Sequence, residues 1–162
     1  MRLTLALVTS LTNTTIICTE HQSAGIMASK VFVDTAAWLS LFNLRDGSRA
    51  AAMKVMAQLR RQKRKLVTSE FVILELADGL SKPPVRTNAV GYIEGIRQSE
   101  DIEVIPLSRD LLDQAWDLYC HRSDKGWGLT DCTSFIVMEM EQISEAFTSD
   151  HHFEQAGFTK LL

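Results

Sequence analysis

The sequence predicts an α/β domain built on a short, mainly parallel central sheet, and three observations carry that reading. From Lys30 onward, short β-branched runs alternate with longer segments of helical apolar spacing, the pattern of successive βαβ units. A hydrophobic share of 46% in 162 residues suffices for one core without staples. No repeat, low-complexity tract or linker divides the stretch after Lys30.

The first 29 residues differ in texture, being rich in Thr and Ser with no clean apolar period, and they read as an appendage to a domain spanning 30–162. Their apolar stretch, Leu3 to Val8, is short, is interrupted by Thr4 and follows a single Arg2, which excludes a transmembrane helix and argues against a signal peptide. A start of translation at Met27, just before the first strand, is the preferred expectation.

Strands are expected at Val31–Val33, Leu66–Ser69, Glu103–Leu107, Ala146–Thr148 and Phe158–Leu161. Apolar residues at helical spacing mark Thr35–Leu44, Ser48–Arg64, Glu70–Leu80, Arg86–Gln98, Ser108–His121 and Thr130–Ile143. Ser108 and Thr130 are residues of the capping type. Pro83 and Pro84 are expected to stop the third helix and start a turn, and Asp124 to Gly128 to form a loop.

Charge and cysteine content narrow the chemistry. Three cysteines, Cys18, Cys120 and Cys132, fit neither a disulfide framework nor a zinc site, so a reducing, cytoplasmic setting is expected. A net charge of -3 means that any contact with nucleic acid must come from local patches or bound cations.

Four acids stand where a parallel sheet would bring them together. Ligands of such sheets bind at the carboxyl ends of the strands. Asp34 follows the first strand, Asp150 follows the fourth, Glu75 lies in the helix after the second, and Asp131 opens the helix leading into the fourth. For Asp34 and Asp131 a helix-capping role is as good a reading as function, because helix N-termini favour acids. Glu75 interrupts the apolar run Phe71-Val72-Ile73-Leu74-Glu75-Leu76 with no Lys or Arg one turn away, so it either reaches solvent or meets a metal. Clustered carboxylates suit Mg²⁺ or Mn²⁺, and such sites suit phosphodiester hydrolysis.

At these residues the chain resembles the PIN-domain nucleases, and among them the VapC-like ribonuclease toxins of bacterial toxin–antitoxin pairs. The matching segments are Val31 to Thr35, Thr68 to Glu75, Leu129 to Phe135 and Thr148 to Phe158. An Asp after a hydrophobic strand is common, but these four segments in this order are specific. The resemblance implies a three-layer α/β/α fold and a metal-dependent endoribonuclease with Asp34, Glu75, Asp131 and Asp150 on the family's acidic positions. It also implies Thr35, Ser134 and Thr148 as supporting hydroxyls, a homodimer, and a small antitoxin presenting an Arg to the carboxylates.

Other residues divide less sharply. Lys82, Arg86 and Lys125 are candidate phosphate contacts, whereas Arg60 to Lys65 should lie at the amino edge of the sheet as a solvated helix end. Asp124 could be an outer metal ligand, though loop aspartates mostly form turns. Trp127 could stack on a base, but packing on its own domain is preferred, and for His151 and His152 a capped helix start is preferred. Asp78, Asp113 and Asp117 read as solvent-facing, and Cys132 as core. Two rival functions remain: a PIN nuclease of RNA maturation or decay, and a non-catalytic RNA- or protein-binding module. A phosphatase of the haloacid dehalogenase type is disfavoured, because Ala36 stands where its second Asp belongs.

Overall fold

Val31, Phe32 and Val33 are all fully buried, although successive side chains of a strand point to opposite faces. Both faces of this strand, β1 (Lys30–Val33), are therefore covered, as a three-layer arrangement requires. The computed structural model describes residues 29–162, so the anticipated appendage, apart from Ser29, lies outside the described residues.

From β1 the chain continues through α1 (Thr35–Phe42), α2 (Arg49–Arg61), β2 (Lys65–Ser69), α3 (Glu70–Gly79), α4 (Pro83–Gln98) and β3 (Ile102–Ile105). It then forms α5 (Arg109–His121), α6 (Leu129–Met140), β4 (Glu145–Phe147), α7 (His152–Gln155) and β5 (Thr159–Lys160). The five strands form one sheet in the order β3-β2-β1-β4-β5, and every pairing is parallel. Phe32 stands between Val67 and Ala146 in register.

Three helices begin at a residue whose side chain caps them: Asp34 accepts from the Ala36 N–H at the head of α1. Ser69 accepts from the Val72 N–H and starts α3, and Ser108 accepts from the Leu111 N–H and starts α5. Phe32, Phe135, Phe147 and Phe153 are the largest of the fully buried side chains among the described residues, and the ring of Phe135 meets that of Phe153 edge-on at 5.0 Å. No helix among the described residues is long and apolar enough to cross a membrane.

Several expected boundaries move, each for a local reason. Pro83 and Pro84 open α4 instead of forming a turn, because the first turn of a helix needs no N–H from them. Strand β3 stops at Ile105 rather than Leu107, since Pro106 cannot donate to the ladder and the Leu107 N–H is taken by Glu70 Oε2 at 2.8 Å. Helix α2 ends at Arg61, three residues early, and Lys63 turns the chain at a φ of 53°. Helix α1 ends at Phe42 rather than Leu44, with the Asn43 N–H bonded back to the Leu39 carbonyl.

Candidate metal centre

The chain steps outward from β1 to β2 and β3, then returns to the other side of β1 with β4. The crevice between the carboxyl ends of β1 and β4 is thus the point where strand order reverses, the favoured ligand site of such sheets. Asp34 lies directly beyond β1, where it caps α1, and Asp150 lies beyond β4. Glu75 reaches the same edge from α3, and Asp131 occupies the third position of α6.

Asp34 is only 6% exposed. Its Oδ2 accepts from the Thr148 hydroxyl at 2.8 Å and from the Ala36 N–H at 3.3 Å. Burial pushes its carboxyl up to about 6, and the charge of Glu75 adds to the rise, while the bonds from Thr148, Thr35 and Ala36 oppose it. Among the described residues no Lys, Arg or His is paired with Asp34 or Glu75.

Thr148, itself fully buried, also accepts the Asp150 N–H at 3.0 Å, so one hydroxyl ties the ends of β1 and β4 together. On the other side of Asp34, the Thr35 hydroxyl donates to Glu75 Oε2 at 2.6 Å. Both threonines therefore orient carboxylates. Glu75 itself is exposed, the solvent-reaching one of the two alternatives for a charge in that apolar run: α3 buries Val72, Ile73 and Leu76 and turns Glu75 outward. Its case as a ligand rests on the neighbourhood of Asp34 and Thr35.

Asp131 and Asp150 form the second half of the site. Asp131 Oδ2 accepts the Gly128 N–H at 2.8 Å, closing the first turn of α6, and lies 3.1 Å from His152 Nδ1. Burial raises the Asp131 carboxyl above its ordinary range and the charge of Asp150 adds to this, against the Gly128 and His152 contacts. Asp150 Oδ1 accepts the His152 N–H at 2.9 Å at the entry to α7, whose N-cap residue, His151, makes no side-chain cap bond of its own. The sequence did not reveal the contact of the His152 ring with Asp131, because the two lie 21 positions apart.

The donor set suits a hard divalent cation: carboxylate oxygens, one of them buried without a positive partner. Among the described residues the acids alone do not bring three donor atoms within 4.8 Å of one another, since the one set that does combines Asp150 with His151 and His152. Mg²⁺ commonly retains several waters and uses only one or two carboxylates directly, so the wider spacing fits it.

The remaining candidates fall outside this arrangement. Ser134 is fully buried and donates to the Thr130 carbonyl at 3.0 Å, so it supports α6 and not a carboxylate, correcting its expected role. Asp124 is held by Arg122 through two bonds at 2.9 and 3.2 Å, and these lower its carboxyl, so it is a loop ion pair with no contact to the four acids. Lys125 stands 3.7 Å from Asp124, while Lys82 and Arg86 are exposed at the start of α4. Trp127 packs inward against Phe135 at 5.0 Å and donates to Gln155, with the Arg122 guanidinium over its ring. Arg64 pairs with Glu145 and bonds the Ser29 and Lys30 carbonyls, which places the basic run at the amino edge as expected.

The family model for the PIN domain matches residues 31–159. The chain is 30% identical over 131 residues to the 23S rRNA-specific endonuclease VapC20 of Mycobacterium tuberculosis, covering 81% of this chain and 97% of that protein. The crystal structure of that VapC20, a sarcin-ricin loop cleaving toxin, superposes with a TM-score of 0.71 over 80% of this chain and 96% of its own. VapBC2 from Rickettsia felis, solved bound to promoter DNA, shares the fold at 16% identity, with a TM-score of 0.62 over 81% of this chain and 96% of that one.

Proposed function

The chain belongs to the PIN-domain family, and on that premise we propose that it is a divalent-metal-dependent endoribonuclease acting as the toxin of a toxin–antitoxin pair in the cytoplasm. Asp34, Glu75, Asp131 and Asp150 hold Mg²⁺ or Mn²⁺. The observation that carries this reading is Asp34, a buried carboxylate at the strand-order reversal with a raised pKa and no cationic partner among the described residues. A protein retains such a group at a cost in stability when a cation is its intended companion.

When bound, the ion supplies an activated water and neutralises charge building on the phosphate. The chain's own residues prepare the place. Thr148 fixes the inner oxygen of Asp34 and the backbone of Asp150, Thr35 fixes Glu75, and the Gly128 N–H fixes Asp131. These bonds hold the carboxylates ready without filling all their lone pairs, which limits reorganisation at the moment of reaction. Lys82, Arg86 and Lys125 contribute phosphate contacts around the acidic edge, and the nuclease domain begins at Lys30.

The substrate is a folded loop of ribosomal RNA, as for the relative VapC20, which matches at 30% identity across 97% of its length. A second copy of the chain and a small antitoxin are its partners. The test is to incubate the purified chain with a synthetic sarcin-ricin hairpin, an unstructured RNA and a plain duplex, each with Mg²⁺ or with EDTA. Site-specific cleavage of the hairpin only with Mg²⁺ is expected. Cleavage indifferent to EDTA, or none with either Mg²⁺ or Mn²⁺, would overturn the reading.

A further inference from the structure

Beside the four acids stands a set of donors with a different chemistry. Asp150, His151 and His152 each present a ligand atom within 4.8 Å of the others. His151 Nδ1 lies 3.5 Å and His152 Nδ1 3.4 Å from the same Asp150 Oδ1. A tetrahedral zinc ion with bonds of about 2.0–2.1 Å separates its donors by about 3.4 Å, so two edges of that tetrahedron already have the spacing a metal would impose. The imidazole rings lie 4.4 Å apart and tilted by 45°, and the His151 side chain is 66% exposed, which leaves access for the ion and for a water in the fourth position.

We propose that Asp150, His151 and His152 form a site for a borderline transition-metal ion such as Zn²⁺, and that its occupation inhibits the nuclease. The ligand types decide the ion. Two imidazole nitrogens with one carboxylate favour zinc and its neighbours over Mg²⁺, which prefers oxygen throughout. The geometry decides the consequence. Asp150 is shared with the carboxylate set, and His152 Nδ1 also faces Asp131 Oδ2 at 3.1 Å. An ion drawing on both Nδ1 atoms takes Asp150 from the first site and pulls His152 away from Asp131. The inhibitory consequence rests on the nuclease reading above, whereas the binding does not.

The experiment titrates ZnCl₂ alone calorimetrically into the full chain and into His151→Ala, a substitution at an exposed side chain. It then measures cleavage of the RNA hairpin in Mg²⁺ with and without stoichiometric Zn²⁺, each protein referred to its own zinc-free rate. The expected result is one strong site in the wild type, weakened at least about tenfold in His151→Ala, as loss of one of three ligands demands. Zinc inhibition is expected in the wild type and relief of it in the variant. Equal zinc affinity in both proteins would overturn the site, and tight binding without inhibition would overturn its consequence. A wild type that cleaves no RNA would overturn the nuclease reading and the inhibition with it, and the isotherms alone would still decide the site.

Discussion

Replacing Asp34 by Asn should stabilise the metal-free protein by an amount that grows as the pH rises from about 4 through 6 and is complete above that. The carboxyl rises from an ordinary 3.8 to about 6 on folding, chiefly through burial. Between those values the unfolded chain has already lost the proton that the folded chain still holds, so stability falls as pH climbs from about 4 through 6. At about 1.36 kcal/mol for each pH unit of difference, the ionised form costs on the order of 3 kcal/mol once the pH exceeds 6. Asn keeps an oxygen to accept from Thr148 and Ala36 but carries no charge. In EDTA, Asp34→Asn should therefore match the wild type near pH 4 and melt roughly 6–12 °C higher near pH 7.5, at about 2–4 °C per kcal/mol for a chain of this size. Thermal unfolding of both proteins across that range is the assay. A gain equal at both pH values, or a variant less stable near pH 7.5, would refute the claim that an unpaired buried charge sits there.

Thr148→Val removes the donor to Asp34 and leaves the Asp150 N–H without its acceptor, so equilibrium unfolding should show a loss of about 1–3 kcal/mol, with Thr148→Ser recovering most of it. Because Glu75 is exposed, Glu75→Gln should change stability by no more than about 0.5 kcal/mol in denaturant titration while cutting the rate of RNA cleavage on the order of 100-fold. Trp127→Ala should cost about 3–5 kcal/mol by the same titration, since the ring packs inside against Phe135; an unchanged unfolding midpoint would mark it instead as a surface residue available to a base.

The sheet and its carboxyl edge were legible in the sequence because they depend on periodicity and chain order. Val31 to Val33 reads as a buried strand, and an acid immediately after it can only stand at that strand's end. The hydroxyls of Thr35 and Thr148 were placed by resemblance, and each is bonded to a carboxylate. Contacts between distant segments were not legible. Nothing local in Ser134 distinguishes a hydroxyl serving a catalytic acid from one bonded to its own helix, and the latter is found. The exposure of Glu75 depends on how α3 is rolled against its neighbours, which an apolar run on nearly all sides does not specify. The meeting of His152 with Asp131 needs α6 and α7 to pack, and the prolines at the head of α4 read equally as breakers or as first-turn residues.

The central claim is that Asp34, Glu75, Asp131 and Asp150 make one cation site. Its most direct test is a Mn²⁺ binding isotherm for the wild-type chain and for Asp34→Asn, Glu75→Gln, Asp131→Asn and Asp150→Asn, each first shown to be folded. One shared site predicts that all four substitutions weaken Mn²⁺ affinity, by about tenfold or more, without adding or removing a binding step. Wild-type affinity retained in any one of them would contradict that residue's place in the site, and retention in both Asp34→Asn and Asp131→Asn would put the metal elsewhere.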